Sequence, residues 1–213
     1  MRSDFRRFIL LFFTSLACTF FTVSPALAFT LSGGRWFQSQ TTYVVDQDFA
    51  NQGTGWTTSV QDATGNLLGW KVNIISINHT LFDFNLDSNS SNHIRTATSA
   101  ECSNPCIMNT LTSTNILGYF LNYTMRINVI QGNAYYDGTQ TPTIPSNYYD
   151  LDSMLRHEFG HVLGLCHTGT AYTLMSAGLS PGEIRYVDGD AIQGARRIYW
   201  SGTTPPEAPS CVL

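Results

Sequence analysis

An α+β domain is the fold class this sequence predicts, on three observations. Short runs rich in β-branched and aromatic residues recur between turn-rich segments, as strands do. Residues 57–70 place apolar side chains at helical spacing. A second helix is needed near residue 157, where two histidines stand four residues apart and a glycine follows at a natural stop.

The first 28 residues read as a targeting signal and not as part of that fold. Arg2, Arg6 and Arg7 precede an apolar run from Phe8 to Val23, and Ala26-Leu27-Ala28 forms the small-x-small site that signal peptidase cuts. The run is shorter than a membrane span needs. Residues 1–28 are therefore expected to leave on export, with 29–213 as one secreted domain without a membrane anchor. Losing Arg2, Arg6, Arg7 and Asp4 leaves eight basic and 14 acidic residues, a net charge of about −6. Such a balance argues against nucleic acid or an anionic membrane as partner.

Thr41 to Val45 reads as the first strand and Thr57 to Trp70 as a helix, with Val60, Ala63, Leu67 and Trp70 near one face. Lys71 to Ile77 and Leu81 to Leu86 read as strands, and Asp87 to Asn92 as a polar loop between structured segments. Ile116 to Tyr123 and Met125 to Ile130 read as two more strands, followed by a turn-rich connection from Asn133 to Ser146. Asp150 or Asp152 is placed to cap the next helix, whose N-terminal dipole favours an acidic residue. The tail beyond Trp200, with Pro205, Pro206 and Pro209, suits a surface wrap.

Four cysteines remain after processing: Cys102, Cys106, Cys166 and Cys211. An even count in an exported chain reads as two disulfides, for which three pairings exist. Asn104 and Pro105 favour a turn that would close Cys102 onto Cys106, leaving Cys166 for Cys211.

The chemistry sits in one run, His157-Glu158-Phe159-Gly160-His161-Val162-Leu163-Gly164-Leu165-Cys166-His167. On a helix His157 and His161 project from one face, so their imidazoles can occupy two corners of a zinc tetrahedron. Glu158 leans over the same space, where a carboxylate can act as general base on water without binding the metal. Gly164 ends the helix and turns the chain so that His167 returns as third ligand, leaving the fourth position open for water.

The run resembles the motif of the metzincin metalloproteases, and Met175 in Thr173-Leu174-Met175-Ser176 resembles the methionine of their Met-turn. Thr168 after the third histidine is similar to the Ser or Thr found in the matrixin subfamily, and Asp190 to Tyr199 resembles the last matrixin helix. The resemblance is specific from about Tyr149 to Tyr199. It implies a twisted mixed β-sheet packed on two long helices with a third helix at the C-terminus, and a cleft lined by an edge strand at Ile116 to Tyr123. It further implies a monomeric zinc endopeptidase of the compact bacterial type acting on protein or peptide substrates. One catalytic zinc is expected on His157, His161 and His167, with Glu158 as base and Met175 as a floor below the metal.

Departures from the family pattern shape the rest. Outside the motif only His79 and His93 remain, far upstream of the family's structural zinc loop, so no second zinc is expected. Calcium at Asp83, Asp87 or Asp137 is open to their oxygen-rich surroundings, although a solvated loop is the simpler reading. After Met175 the chain runs Ser176-Ala177-Gly178-Leu179-Ser180-Pro181, where the family has a P-x-Y wall to its specificity pocket. Ala177 and Leu179 there offer apolar surface and no charge to pair with a basic side chain, which predicts cleavage before bulky apolar residues such as leucine. Two rival functions remain: a non-catalytic zinc-binding interaction module, and a zinc hydrolase of cell-wall peptides.

Overall fold

The computed structural model describes residues 29–38, 40–65, 69–70, 82–102, 106–130, 132–138 and 143–200. The predicted strand at Lys71 to Ile77, the signal segment, His79, Cys211 and the proline-rich tail lie outside the described residues. Strand β1 (Thr30–Leu31) is followed by β2 (Gln40–Val45), the short helix α1 (Gln47–Ala50) and α2 (Trp56–Gly65). Then come β3 (Asp83–Leu86), β4 (His93–Thr96), β5 (Met108–Thr114) and β6 (Phe120–Ile127). The C-terminal part holds β7 (Tyr135–Tyr136), β8 (Tyr149–Asp150), α3 (Leu151–Val162), β9 (Leu165–Cys166) and α4 (Gly189–Trp200).

Five strands form the main sheet in the order β3-β2-β4-β6-β5. The first four are parallel, and β5 alone runs antiparallel, against β6, at one edge. The α+β expectation holds, with a mixed sheet and, among the described residues, three main helices. The core lies between the sheet and α3. Phe159 of α3 sits edge-on against Tyr43 of β2 and Phe84 of β3, with ring centroids 6.0 and 4.9 Å apart. Val60 and Ala63 of α2 are fully buried, as the helical spacing required, and so is Trp70. The indole of Trp70 donates to the carbonyl of Arg156 at 2.7 Å and that of Trp36 donates to Val162 at 2.9 Å. Two buried tryptophans thereby use their polar edges to fix α3 in place.

The predicted strands at Ile116 to Tyr123 and Met125 to Ile130 are corrected. They are one strand, β6, and its partner β5 lies upstream at Met108–Thr114. The apolar pair Ile116-Leu117 is the exposed tip of the hairpin, 97 % and 67 % accessible. Asn115 and Gly118 make the turn: Asn115 Oδ1 accepts from the N–H groups of Leu117 and Tyr119, and Gly118 takes φ +79°. Strand β5 is rich in threonine and half polar, so a search for apolar runs passes over it. The edge of the sheet is therefore β5 and not Ile116 to Tyr123. Strand β4, directly after the polar loop, is a further element that periodicity alone missed.

The turn between β4 and β5 is closed by a disulfide between Cys102 and Cys106, with Cα atoms 5.2 Å apart. Asn128 anchors it from the end of β6, donating through Nδ2 to the carbonyls of Cys102 and Cys106 at 2.8 and 3.0 Å. Cys166 is also disulfide-bonded and buried. No helix among the described residues is long and apolar enough to cross a membrane.

Candidate metal centre and cleft

Helix α3 carries the centre, and both its ends are built by local sequence. At the start Asp150 is the N-cap, its carboxylate accepting from the Ser153 N–H at 2.9 Å, with Asp152 in the first turn. At the end Leu163 is the C-cap and Gly164 takes φ +98°. A Cβ at Gly164 would also meet the carbonyl oxygen of Gly34 at 2.5 Å, so glycine is required by space as well as by backbone angle. The turned chain forms β9, which pairs with β1 before His167.

Three imidazoles converge here. The Nε2 atoms of His157, His161 and His167 lie 3.1, 3.1 and 3.2 Å from one another. A zinc tetrahedron with nitrogen ligands has edges of about 3.3 Å, so the triangle matches three of its corners. Hydrogen bonds on the far side of two rings settle which nitrogens can bind. His157 Nδ1 lies 2.6 Å from the carbonyl of Leu174, and His161 Nδ1 lies 2.7 Å from that of Leu165. Carbonyls only accept, so both Nδ1 atoms are donors and each neutral ring presents a bare Nε2 inward. Two lone pairs 3.1 Å apart repel unless a cation lies between them. Among the described residues this is the only group of three or more His, Cys, Asp or Glu side chains able to hold a metal ion.

Electrostatics agree. Burial, and then the neighbouring His161, hold the His157 pKa well below its usual range, and burial brings His161 down to about 4. Both rings therefore stay neutral and ligand-competent at ordinary pH. Glu158 points into the same buried space and is 5 % exposed. Its carboxyl is pushed up to about 7 by burial, against the pull of a hydrogen bond from the Thr110 hydroxyl, which reaches Oε2 at 2.6 Å.

Met175 lies beneath the helix. A Cβ added to Gly160 would come within 2.4 Å of its Sδ, so the glycine between the two helical histidines is what lets the methionine approach. The turn holding Met175 is tied on three sides. Thr168 N–H donates to the Met175 carbonyl at 2.9 Å, Leu174 accepts from His157, and Leu174 N–H donates to Asp188 Oδ2 at 2.7 Å. Asp188 also accepts from Ala191 N–H at 2.8 Å, joining the start of α4 to the carbonyl that orients His157. Its pattern is an ordinary N-cap signal, legible in the sequence and not singled out.

A pocket of about 680 Å³ opens beside the histidines. Met108 and Asn109 of β5 form one wall and Ala177 to Leu179 the other, so the cleft is lined by β5 and not by the strand expected there. Arg185 lines the pocket as well. Its guanidinium is engaged, with Nε donating to Glu183 at 2.7 Å, Nη1 to the Ser176 carbonyl at 3.1 Å and Nη2 to the Gly178 carbonyl. Nothing in the local sequence marks Arg185, or Thr110, as part of the site.

The other candidates are dispersed. His93 Nδ1 pairs with Asp46 at 2.8 Å, Asp137 accepts from Gly55 N–H at 3.2 Å, and Asp87 accepts from Asn89 N–H at 2.9 Å. Asp83 lies in β3.

Comparison with known proteins agrees with this geometry. Stromelysin-3 of Rattus norvegicus is 34 % identical over 83 residues, and stromelysin-3 of Mus musculus 34 % identical over 84. Each match covers 39 % of this chain but only 17 % of the relative's length. The sequence profile of the matrixins matches residues 35–200, from the segment between β1 and β2 to the last residue of α4. That span takes in the whole sheet, the three converging histidines and the turn beneath them, and the chain belongs to the matrixin family.

Proposed function

We propose that this chain is a secreted zinc-dependent endopeptidase. One observation carries the reading: a buried carboxylate, Glu158, stands beside three imidazole nitrogens that converge for a metal at the mouth of an open pocket. His157, His161 and His167 would hold the ion through Nε2. Zinc held there would supply Lewis acidity to polarise the scissile carbonyl and to lower the pKa of water toward neutrality. Glu158 takes a proton from the attacking water and passes it to the leaving amine nitrogen, so one carboxylate serves as base and then as acid. A non-catalytic module would have no use for a carboxylate held at that place.

The substrate is read as an extended peptide lying along the outer edge of β5, where main-chain pairing tolerates many sequences. Selectivity then falls to the pocket. Its apolar walls suit a bulky apolar side chain after the scissile bond, and Arg185 offers little to an acidic one because Glu183 and two carbonyls already engage it. Turnover of casein or a peptide library, lost with a chelator, tests the reading. Glu158→Gln should keep one zinc per chain and lower kcat by at least about a hundredfold. Retained turnover, or loss of the metal, would show that Glu158 has been given the wrong role.

The start of the mature chain at Phe29 and a Cys166 to Cys211 bridge belong to the same proposal. A bridge closing a loop of about 45 residues would contribute roughly 4 kcal/mol on chain-entropy grounds. Non-reducing peptide mapping of secreted protein reads both features, and a different first residue or a different partner for Cys166 would overturn the corresponding one.

A further inference from the structure

We infer that Thr110 is a positioning residue for Glu158, its hydroxyl holding one carboxylate oxygen so that the other is presented to the reacting water. This rests on the reading of Glu158 as the proton-transferring group. Thr110 lies in β5 opposite Met125, a fully buried residue, and is itself 2 % exposed. Valine would be the ordinary choice at such a position, since it has the same shape and no hydroxyl to desolvate. The hydroxyl there reaches from β5 to Glu158 Oε2 of α3 at 2.6 Å.

Geometry makes this contact suited to orientation. A β-branched side chain has few rotamers, so the strand itself fixes where the Thr110 oxygen lies. The strand is in turn fixed at its start by the Cys102 to Cys106 bridge, and Ile107 accepts from the Asn128 N–H at 2.8 Å. The glutamate has three side-chain torsions and sits between two histidines of the metal-binding face. Tying Oε2 to β5 removes the freedom of the carboxylate to turn away, and leaves Oε1 for a second partner. The reacting group is thus held from two elements, its backbone by α3 and its tip by β5.

The test uses Thr110→Val, which removes the donor at constant shape, beside Thr110→Ser, which keeps it. Thr110→Val should lower kcat by roughly tenfold to a hundredfold, as for loss of a hydrogen bond to a charged group, with KM within about twofold and zinc stoichiometry unchanged. Thr110→Ser should restore kcat to within about threefold. Wild-type kcat in the valine variant, an equal loss in the serine variant, or a loss explained by missing metal would each overturn the inference. A second measurement does not depend on turnover. The chain has only four glutamates, at 101, 158, 183 and 207. NMR of protein labelled at the glutamate carboxyl carbon can therefore identify the Glu158 signal by its absence in Glu158→Gln. That signal should move in Thr110→Val and stay in Thr110→Ser; no movement in the valine variant overturns the contact. If wild-type protein shows the contact but cleaves no peptide, the endopeptidase reading fails and the catalytic consequence with it, while the hydroxyl-to-carboxylate bond stands.

Discussion

Helix α3 and the walls of the cleft serve one site but are built in opposite ways. On α3 the cap, both histidines, the carboxylate and the terminating glycine lie within 15 consecutive residues, from Asp150 to Gly164. The walls come from segments about 70 residues apart, Met108–Asn109 and Ala177–Leu179, held by Asn128 on one side and Arg185 on the other. A helix converts fixed spacing into fixed direction, so its chemistry can be read from neighbours. A wall depends on which distant segment packs beside it. The two regions should therefore fail separately when damaged.

The largest effect is expected on the helix side. His161→Ala leaves two ligands, and zinc affinity should fall by at least about a thousandfold. Amide exchange across Ala177 to Arg185 should stay near wild type, because that segment is held by Arg185 and not by His161. Loss of protection there would mean that metal and wall form one unit, and the proposed separation would be wrong.

Acid should also act on the helix side. His161 has a pKa of about 4 in the folded chain and about 6.5 when unfolded. Between those values the unfolded chain binds a proton that the folded chain does not, so stability falls as pH falls through that window. For metal-free protein the loss is on the order of 3 kcal/mol from this residue. Chemical denaturation at pH 7, 5.5 and 4 reads it, and His161→Gln should flatten the slope. An equally steep slope in that variant would assign the acid sensitivity elsewhere.

A smaller effect is expected on the wall side. Arg185→Ala strips donors from Glu183 and from the Ser176 and Gly178 carbonyls, which should cost about 2 kcal/mol of stability. Zinc content should be unchanged, and the cleavage profile should broaden as the wall loosens. Metal loss in this variant would join the two regions again.

Much of α3 was legible because each of its signals is local. Gly164, the i, i+4 histidines and a cap at Asp150 or Asp152 needed no knowledge of the rest of the chain, and the structure chose Asp150. The edge strand was misplaced for a physical reason: Ile116 and Leu117 carry the stronger apolar signal yet form an exposed turn, while β5 is a threonine-rich edge strand in which Thr110 alone is buried and so shows no apolar run. Arg185 was missed because a buried arginine reads from sequence as a surface charge until its acceptors are known.

By itself the sequence determined which histidines are candidates to hold a metal, which carboxylate stands beside them, and the point where the helix must stop. Those properties follow from side-chain chemistry and the pitch of a helix. Tertiary structure alone decided which strand faces the carboxylate, that Leu174 and Leu165 orient the imidazoles, and that Arg185 braces the pocket. Each depends on a contact between residues that only folding brings together, and no local spacing encodes which distant carbonyl or hydroxyl a side chain will meet.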